Sequence, residues 1–364
     1  MMITVRSGPD SYICQPGILE QIDRLLNTYR FQKGLLITGE KSWEASKSYF
    51  PHKTNFEFWI EKYHGECSDS EINRLTNKAE EFKSHVVIGV GGGKVLDLAK
   101  SVANRSGLPA ILIPTLASTC AAWTPLSVIY NDEGQYIRFD VFPKGTLLVL
   151  VEPEILLNAP LSTLRAGIGD TLAKWYEAEA LTRTLTNKPM AVQMAIKSAE
   201  LCKDVLLKDG FEAIQAAQRK TLNPAFLRVV ESIVMIGGMV GGFGDKYGRI
   251  AGAHSVHNAL THIYETHHLL HGEKVAYGIL VQLALEKKFT EINRLVDFYK
   301  LIHLPYCLKD LGIHPGDQNC IQLIAQYTLA KGESIHYMDE SYNESDLIEA
   351  INELEEIIFQ HAKR

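Results

Sequence analysis

Histidines are concentrated in one short stretch of the chain. Six of the 13 fall between positions 254 and 271: His254, His257, His262, His267, His268 and His271. A neutral imidazole binds borderline divalent metals without adding charge, which makes histidine the commonest metal ligand. A single histidine is nevertheless more often a surface or core residue. The stretch is therefore a candidate metal site, but the spacing alone does not show which of these histidines would bind the metal.

A carboxylate in a second segment could join these histidines. Asp170 follows Gly167 and Gly169 and precedes a helical pattern. The residue has two interpretations that the spacing leaves open: it caps the start of a helix, or it is a metal ligand.

Three consecutive glycines, Gly91, Gly92 and Gly93, stand between an apolar run and a helical pattern. Such a junction lets backbone N–H groups approach a phosphate at the positive end of a helix dipole. The GxGxxG pattern fails because Lys94 stands where glycine is needed, and the P-loop pattern fails at Val95. The loop is a candidate pyrophosphate cradle, with an ordinary strand-to-helix turn as the alternative.

The elements around these residues divide the chain in two. The first part contains short runs that are apolar throughout, which indicate a parallel sheet covered on both faces; they lie at 34–39, 85–90, 110–114 and 146–151. Between the strands, Ser68 and Glu71 form a capping-box pattern that opens a predicted helix at 68–82. The second part has mostly helical patterns, as at 171–181, 190–207 and 348–361. We predict an α/β domain at 1–155 and an all-α domain at 156–364.

Composition and charge exclude several classes of protein. The chain has 364 residues, more than the roughly 250–300 at which a single hydrophobic core stops growing, so we expect two domains. A net charge of −6 without blocks of like charge argues against a nucleic-acid or membrane partner. The first residues lack a secretory pattern, no uninterrupted apolar run approaches about 18 residues, and the six cysteines form no CxxC pair. We expect a cytoplasmic protein without disulfides.

Six ordered motifs resemble those of the iron-containing alcohol dehydrogenase superfamily, and most closely its glycerol-dehydrogenase-like branch. They extend over nearly the whole chain: Gly91-Gly92-Gly93-Lys94 with Asp97 and Lys100, Pro114 to Thr119, Leu126 to Tyr130, Gly167 to Asp170, His254 to Asn258, and Leu270 to Gly278. The resemblance implies a dinucleotide-binding α/β domain followed by a helical metal-binding domain, which agrees with the division drawn above.

By this resemblance, Asp170, His254 and His271 are the three metal ligands. Lys174 occupies a position where several relatives have a fourth, histidine ligand, and a protonated lysine cannot bind a metal. One carboxylate and two imidazoles leave an open coordination position, as a catalytic metal needs. Such donors suit Zn²⁺, Fe²⁺, Ni²⁺ or Mn²⁺, and we expect one zinc ion.

The resemblance also implies the residues that contact a nicotinamide cofactor. They are Gly91, Gly92, Gly93, Lys94, Asp97, Thr115, Ser118, Ser127, Tyr130 and Lys144. His257 is similar to a second histidine near the nicotinamide and is a candidate proton relay, with a hydrogen-bonded core histidine as the alternative.

Two departures from glycerol dehydrogenases bear on specificity. Those enzymes have an aspartate where this chain has Cys120, and losing that anion favours a neutral or negatively charged substrate over a triol. The run from Thr119 to Pro125 resembles that of hydroxycarboxylate dehydrogenases, although Trp123 could simply pack in the core.

The second departure lies after the first nucleotide-domain strand. Relatives that prefer NAD have an aspartate there, whereas this chain has Gly39, with Lys41 and Ser42 available to bind a 2′-phosphate. We therefore expect NADP(H) to be preferred over NAD(H), although Glu40 would restore an acidic residue if the register shifted by one.

We predict a metal-dependent, NAD(P)H-linked oxidoreductase that reduces small 2-oxo acids such as 2-oxoglutarate or 2-oxobutanoate. Cys120 and His257 are its candidate catalytic residues. The first alternative is a glycerol or polyol dehydrogenase using NAD, and the second is a dehydroquinate-synthase-like lyase. The resemblance further implies a homo-oligomer.

Overall fold

The chain forms two compact units. The computed structural model describes residues 3–338 and 341–361. One unit consists of Arg6–Pro160 with Ala216–Met239, and the other contains Leu161–Gln215 and the described part of Val240–Arg364. Residues 216–239, which the sequence analysis assigned to the helical domain, thus lie with the strands. Their packing explains this, because a Cβ atom added to Gly238 would lie 2.5 Å from the Trp123 ring.

The first unit is built on a parallel sheet of six strands. In chain order the strands of this unit are β1 (Ser11–Cys14), β2 (Lys33–Thr38), β3 (Glu57–Lys62), β4 (Val86–Gly91), β5 (Ala110–Pro114), β6 (Leu126–Tyr130), β7 (Tyr136–Val141) and β8 (Leu148–Val151). The spatial order in the six-stranded sheet is β1, β8, β5, β4, β2 and β3. Every neighbouring pair in it is parallel.

The central strands are buried throughout, which confirms the predicted parallel sheet. All residues of β4, β5 and β8 are buried, because helices cover both faces. The pairs Thr38 with Val90 and Gly91 with Pro114 bring the carboxyl ends of β2, β4 and β5 to one edge. The glycine-rich loop follows β4 at this edge. Strands β6 and β7 form a separate antiparallel hairpin.

The helices of the first unit connect these strands. Ser68 caps the predicted helix as expected, and its hydroxyl accepts a hydrogen bond from the Glu71 amide at 3.4 Å. The helices before residue 160 are α1 (Ile22–Thr28), α2 (Glu40–Ser46), α3 (Asp69–Glu81), α4 (Gly93–Ser106) and α5 (Pro153–Leu157).

The helices after residue 160 are longer on average, and most belong to the second unit. They are α6 (Leu161–Thr182), α7 (Met190–Arg219), α8 (Pro224–Glu231), α9 (Gly237–Gly244), α10 (Gly252–Leu260), α11 (His271–Leu285), α12 (Phe289–Ile302), α13 (Gln318–Thr328) and α14 (Glu344–His361). Helix α11 is central, since between Gly272 and Leu285 only Glu273 is not buried. Helix α6 begins ten residues earlier than predicted, so Gly167 and Gly169 lie inside it.

Within the described residues, one helical run is long and apolar enough to cross a membrane by length and composition. It extends over Pro224–Tyr247, and 56% of its most apolar window is buried inside the protein. The sequence analysis considered only uninterrupted apolar runs and passed over it, because Arg228 and Glu231 break the run.

Candidate functional site

Asp170, His254 and His271 converge in the second unit. Their ligand atoms all lie within 4.8 Å of one another. Asp170 lies in the middle of α6, His254 near the start of α10, and His271 at the first residue of α11. The interpretation of Asp170 as a helix cap is therefore wrong.

Glycines allow the three helices to approach so closely. A Cβ added to Gly272 would lie 1.8 Å from the Ala166 carbonyl oxygen, and one added to Gly169 would lie 2.4 Å from that of Gly272. Likewise, a Cβ at Gly278 would lie 2.2 Å from the Ala253 carbonyl oxygen. Any larger side chain would separate α11 from α6 or α10 and move the ligand atoms apart.

The three side chains lie close enough together to hold one metal ion. Asp170 Oδ1 lies 3.4 Å from His254 Nε2 and 3.2 Å from His271 Nε2. Asp170 and His254 are buried, whereas the His271 side chain is 45% exposed. One carboxylate and two imidazoles fit a borderline divalent cation and leave coordination positions open.

The electrostatics of the cluster also fit a cation. Burial by itself raises the pKa of Asp170, but the Lys174 ammonium and hydrogen bonds to His254 and His271 hold that pKa well below its usual range. Burial lowers the pKa of His254, but the carboxylates of Glu177 and Asp170 outweigh it and raise the pKa to about 9. Two buried carboxylates thus favour positive charge here, which a divalent cation supplies.

Glu177 is a buried partner of the cluster to which the sequence analysis gave no role. Its Oε2 lies 2.8 Å from His254 Nδ1, and its Oε1 accepts the amides of Ala251 at 2.7 Å and His254 at 3.0 Å. The spacing carried a signal, because Glu177 follows Asp170 by seven residues and so shares its helix face.

His257 lies beside the cluster but outside it. Its ring centroid is 4.1 Å from that of His271, and its Nδ1 lies 3.0 Å from Asn258 Oδ1. Burial, followed by the neighbouring His271 and His254, lowers the pKa of His257 well below its usual range. The ring is therefore neutral at physiological pH. The remaining histidines of the stretch, His262, His267 and His268, are exposed.

In the first unit, the glycine-rich loop joins β4 to α4. A Cβ at Gly91 would lie 2.6 Å from Val95 Cβ, and one at Gly92 would lie 3.0 Å from Leu116, so both positions need glycine for close packing. At Gly93 the nearest atom is 3.6 Å away. The first N–H groups of the 14-residue helix α4 have no partner inside the helix, which makes this terminus a candidate anion-binding site.

Some of the predicted cofactor residues surround this loop. The Thr115 amide donates to the Gly91 carbonyl at 3.0 Å, which places Thr115 and the following Ser118 at the same sheet edge. Lys94 pairs with Glu66 at 2.6 Å and lies 5.3 Å from the centroid of the Tyr130 ring. Burial raises the pKa of Tyr130 to about 12, which keeps its hydroxyl protonated.

Asp97 and Ser127 direct their side chains into the protein. Asp97 Oδ2 accepts the Val128 amide at 3.0 Å, and the Ser127 hydroxyl donates to the Asp97 carbonyl at 2.7 Å. Asp97 also pairs with Lys100 at 2.8 Å. These contacts hold β6 against α4, so both residues position the hairpin rather than present free polar atoms to a cofactor.

The loop containing Cys120 is anchored at two points. Lys100 Nζ donates to the carbonyls of Ala121 at 2.8 Å and Thr124 at 3.0 Å. Trp123 is buried, and its Nε1 donates to the Ser7 carbonyl at 2.8 Å. Trp123 therefore packs in the core, as the simpler interpretation had it. Cys120 is half-buried.

The residues after β2 define the second specificity position. Gly39 follows the strand directly and caps α2, while the Ser42 hydroxyl accepts the Gly39 amide at 2.8 Å. Lys41 is exposed, and Glu40 pairs with Lys62. Strand β2 ends at Thr38, one residue earlier than predicted, so Gly39 is the first residue after the strand and Glu40 is the first residue of α2.

Lys144 lies far from the glycine-rich loop. It lines a cavity of about 110 Å³ with Asn104 and Gly107, at the end of α4 opposite Gly93. This is the amino edge of the parallel sheet, because Gly107 precedes β5 and Lys144 precedes β8. Lys144 and the glycine-rich loop thus lie at opposite edges of the sheet, and a contact between Lys144 and the cofactor stays a prediction.

A parallel α/β unit with a glycine-rich loop at its carboxyl edge, together with a helical unit carrying an Asp/His/His cluster, defines the class of metal-dependent dehydrogenases. The chain belongs to the iron-containing alcohol dehydrogenase family, whose model matches residues 9–151. Members of this family use a nicotinamide cofactor and a divalent metal to act on small molecules.

Three similar proteins illustrate the family relationship. Hydroxycarboxylate dehydrogenase A of Escherichia coli K12 is 41% identical over 354 residues, 97% of this chain and 98% of that protein. A glycerol dehydrogenase of Pseudomonas putida is 41% identical over 284 residues, 77% of this chain and 76% of that protein. The crystal structure of the Schizosaccharomyces pombe glycerol dehydrogenase superposes with a TM-score of 0.88 at 30% identity, covering 100% of this chain and 93% of that one.

Proposed function

We propose that this protein is a metal-dependent, NAD(P)H-linked reductase of small 2-oxo acids. The observation that carries the proposal is the convergence of Asp170, His254 and His271 in a member of a dehydrogenase family. When bound, a divalent metal supplies a Lewis acid for the substrate oxygen, and the nicotinamide cofactor supplies or accepts the hydride. Zinc is the metal we expect.

The residues of the second unit divide the remaining work. Asp170, His254 and His271 hold the metal. The His271 side chain is half-exposed, so the substrate reaches the metal from the side on which His271 lies. His257, neutral and beside His271, is suited to pass a proton to or from the substrate oxygen. Its Nδ1 contact with Asn258 holds the ring in position.

The first unit binds the cofactor. The N-terminus of α4 with Gly91, Gly92 and Gly93 holds the pyrophosphate. Gly39 leaves the end of β2 free of negative charge, and the exposed Lys41 can meet a 2′-phosphate, so NADP(H) is favoured over NAD(H). Thr115, Ser118 and Tyr130 contribute further contacts.

Two features support an anionic substrate. Cys120 replaces the aspartate of glycerol dehydrogenases and removes a charge that would repel a carboxylate. Lys174 lies one helical turn after Asp170, and its positive charge is felt there, since it lowers the pKa of Asp170 against the opposing effect of burial. A 2-oxo acid offers two adjacent oxygen donors and the negative charge that such an environment accepts.

Initial rates at 340 nm with zinc-loaded protein test the proposal. We expect kcat/KM for 2-oxoglutarate or 2-oxobutanoate with NADPH to exceed that for glycerol with either oxidised cofactor. Cys120→Asp should lower kcat/KM for the oxo acids, because it adds a negative charge near their carboxylate. Cys120→Asn introduces a side chain of the same shape as aspartate without the charge, so it should lower kcat/KM less. Efficient glycerol oxidation without oxo-acid reduction would contradict the proposal.

That contrary result would support the second candidate, a glycerol dehydrogenase using NAD. The glycerol dehydrogenases among the relatives favour it. No observation favours the dehydroquinate-synthase-like lyase, because the relatives reported above are named as oxidoreductases.

A further inference from the structure

Glu177 makes three hydrogen bonds to the start of α10, two with His254 and one with Ala251, and is almost completely buried. The side chain has an exposed fraction of 1%. Both of its oxygens are used, Oε1 by the amides of Ala251 and His254 and Oε2 by the His254 ring. Burying a carboxylate is costly unless it is hydrogen-bonded, and these three hydrogen bonds all come from residues 251–254.

One oxygen of Glu177 closes the start of α10. Ala251 precedes the first residue of that helix, and its amide and that of His254 are among the N–H groups without a partner inside the helix. Glu177 Oε1 accepts both and thereby performs from α6 the function of a capping residue. The backbone of His254 is thus fixed relative to Asp170, which lies on the same helix as Glu177.

The other oxygen determines which ring nitrogen of His254 carries a proton. A carboxylate can only accept a hydrogen bond, so His254 Nδ1 must donate to Oε2. In the neutral ring that a metal requires, Nε2, which lies 3.4 Å from Asp170 Oδ1, is then the nitrogen whose lone pair is available to the metal. A carboxylate bound to the far nitrogen also makes the ring a stronger ligand.

We propose that Glu177 is a positioning residue of the metal site, which orients His254 and selects the ring tautomer that binds the metal through Nε2. This inference rests on the proposed metal-dependent function. A purely structural role, in which Glu177 only caps α10, is the competing explanation.

Glu177→Gln separates the two roles. The amide oxygen of glutamine can still accept from the two backbone amides, but its NH₂ group cannot accept from Nδ1. It donates instead, so the proton moves to Nε2 and blocks the metal. We expect the dissociation constant for Zn²⁺ alone, measured by competition with a chromophoric chelator, to rise about 10–100-fold. Glu177→Asp retains the acceptor and should recover part of the affinity.

Glu286→Gln is the matched control. Glu286 is a buried carboxylate of the same unit that pairs with Arg183 and Lys288 and does not touch the ligands. Glu286→Gln should lower the midpoint temperature of thermal unfolding of the metal-free protein, while leaving the affinity for zinc within about twofold of that of the wild type. ¹⁵N NMR of zinc-loaded wild-type protein should show the proton of His254 on Nδ1.

Each result has a distinct meaning. Zinc affinity unchanged in Glu177→Gln, or a proton on Nε2 in the wild type, would overturn the inference while leaving the proposed function intact. Absence of zinc binding by the wild type would overturn both. A weakened affinity in Glu177→Gln with normal affinity in Glu286→Gln would establish the positioning role.

Discussion

At the scale of single residues, the proposed metal chemistry depends on three side chains contributed by three helices. Asp170 would provide the negative charge and the two imidazoles, once deprotonated by metal binding, the neutral donors, so each of the three is needed to complete the proposed site. Asp170 is also the hub of the cluster, because both histidines face its Oδ1 atom.

We expect Asp170→Ala, His254→Ala and His271→Ala each to lose stoichiometric metal and most activity, because two remaining donors hold a cation weakly. Bound metal after dialysis is measured by elemental analysis. His262→Ala is the control, since this histidine stacks on Tyr327 at 4.2 Å and lies outside the cluster. Stoichiometric metal with full activity in any ligand variant would contradict the assignment.

Cofactor preference is the second prediction at this scale. Gly39→Asp should lower kcat/KM for NADPH relative to NADH by roughly tenfold or more, because two like charges about 4 Å apart repel by about 1–4 kcal/mol near a surface. Gly39→Ala controls for crowding, since any Cβ here lies 3.0 Å from Tyr63 Cε1. Should the wild type already have the higher kcat/KM with NADH, the charge argument is wrong.

At the scale of elements, the site depends on how closely α11 packs against α6 and α10. Glycine is normally unfavourable inside a helix by about 1 kcal/mol. Gly169, Gly272 and Gly278 are retained at places where a Cβ would overlap a backbone carbonyl. The helix contacts therefore set the distance between Asp170 and His271.

Gly272→Ala should lower the free energy of unfolding by at least about 1–3 kcal/mol and weaken zinc binding, because its Cβ would meet the Ala166 carbonyl. Urea unfolding and zinc titration measure the two effects. Gly241→Ala in α9 is the matched control, since its nearest neighbour is 3.7 Å away, and it should be neutral or slightly stabilising. Equal stability and equal zinc affinity in the two variants would contradict this prediction, because they would show that α6 and α11 can move apart without loss of stability or of zinc binding.

At the scale of the whole molecule, Glu355 joins segments that are distant in sequence. It lies in α14 and accepts hydrogen bonds from the Leu308 amide at 2.9 Å and the Tyr277 hydroxyl at 3.3 Å. Burial raises the pKa of Glu355 to about 7, with Asp310 also raising it and both hydrogen bonds opposing the shift. The Cys307 thiol faces the same place, and burial raises its pKa to about 12.

This raised pKa predicts a pH-dependent stability. Between pH 4.5 and 7 the folded protein retains the Glu355 proton and the unfolded chain does not, so stability falls as pH rises, by on the order of 3 kcal/mol. Glu355→Gln should flatten this part of the profile of unfolding free energy against pH. The exposed Glu356→Gln should leave the slope unchanged, and a slope in Glu355→Gln equal to that of the wild type would refute the prediction.

Local structure was largely readable from the sequence. The strand Ala110–Pro114 has the predicted bounds, and the helix capped by Ser68 begins where expected. These elements depend on residues a few positions apart, through apolar runs and caps. Strands β1 and β3 escaped prediction, because they are edge strands without fully buried residues and lack the continuous apolar run of the central strands.

The tertiary structure alone decided which residues meet. Asp170 and His271 are 101 positions apart, and nothing in their local patterns states that two helices approach closely enough for contact. The same holds for the inward-facing Asp97, the distant Lys144 and the assignment of residues 216–239 to the first unit. Sequence patterns report the preferences of neighbouring residues, whereas a site made by three helices depends on packing between segments that are far apart in the chain.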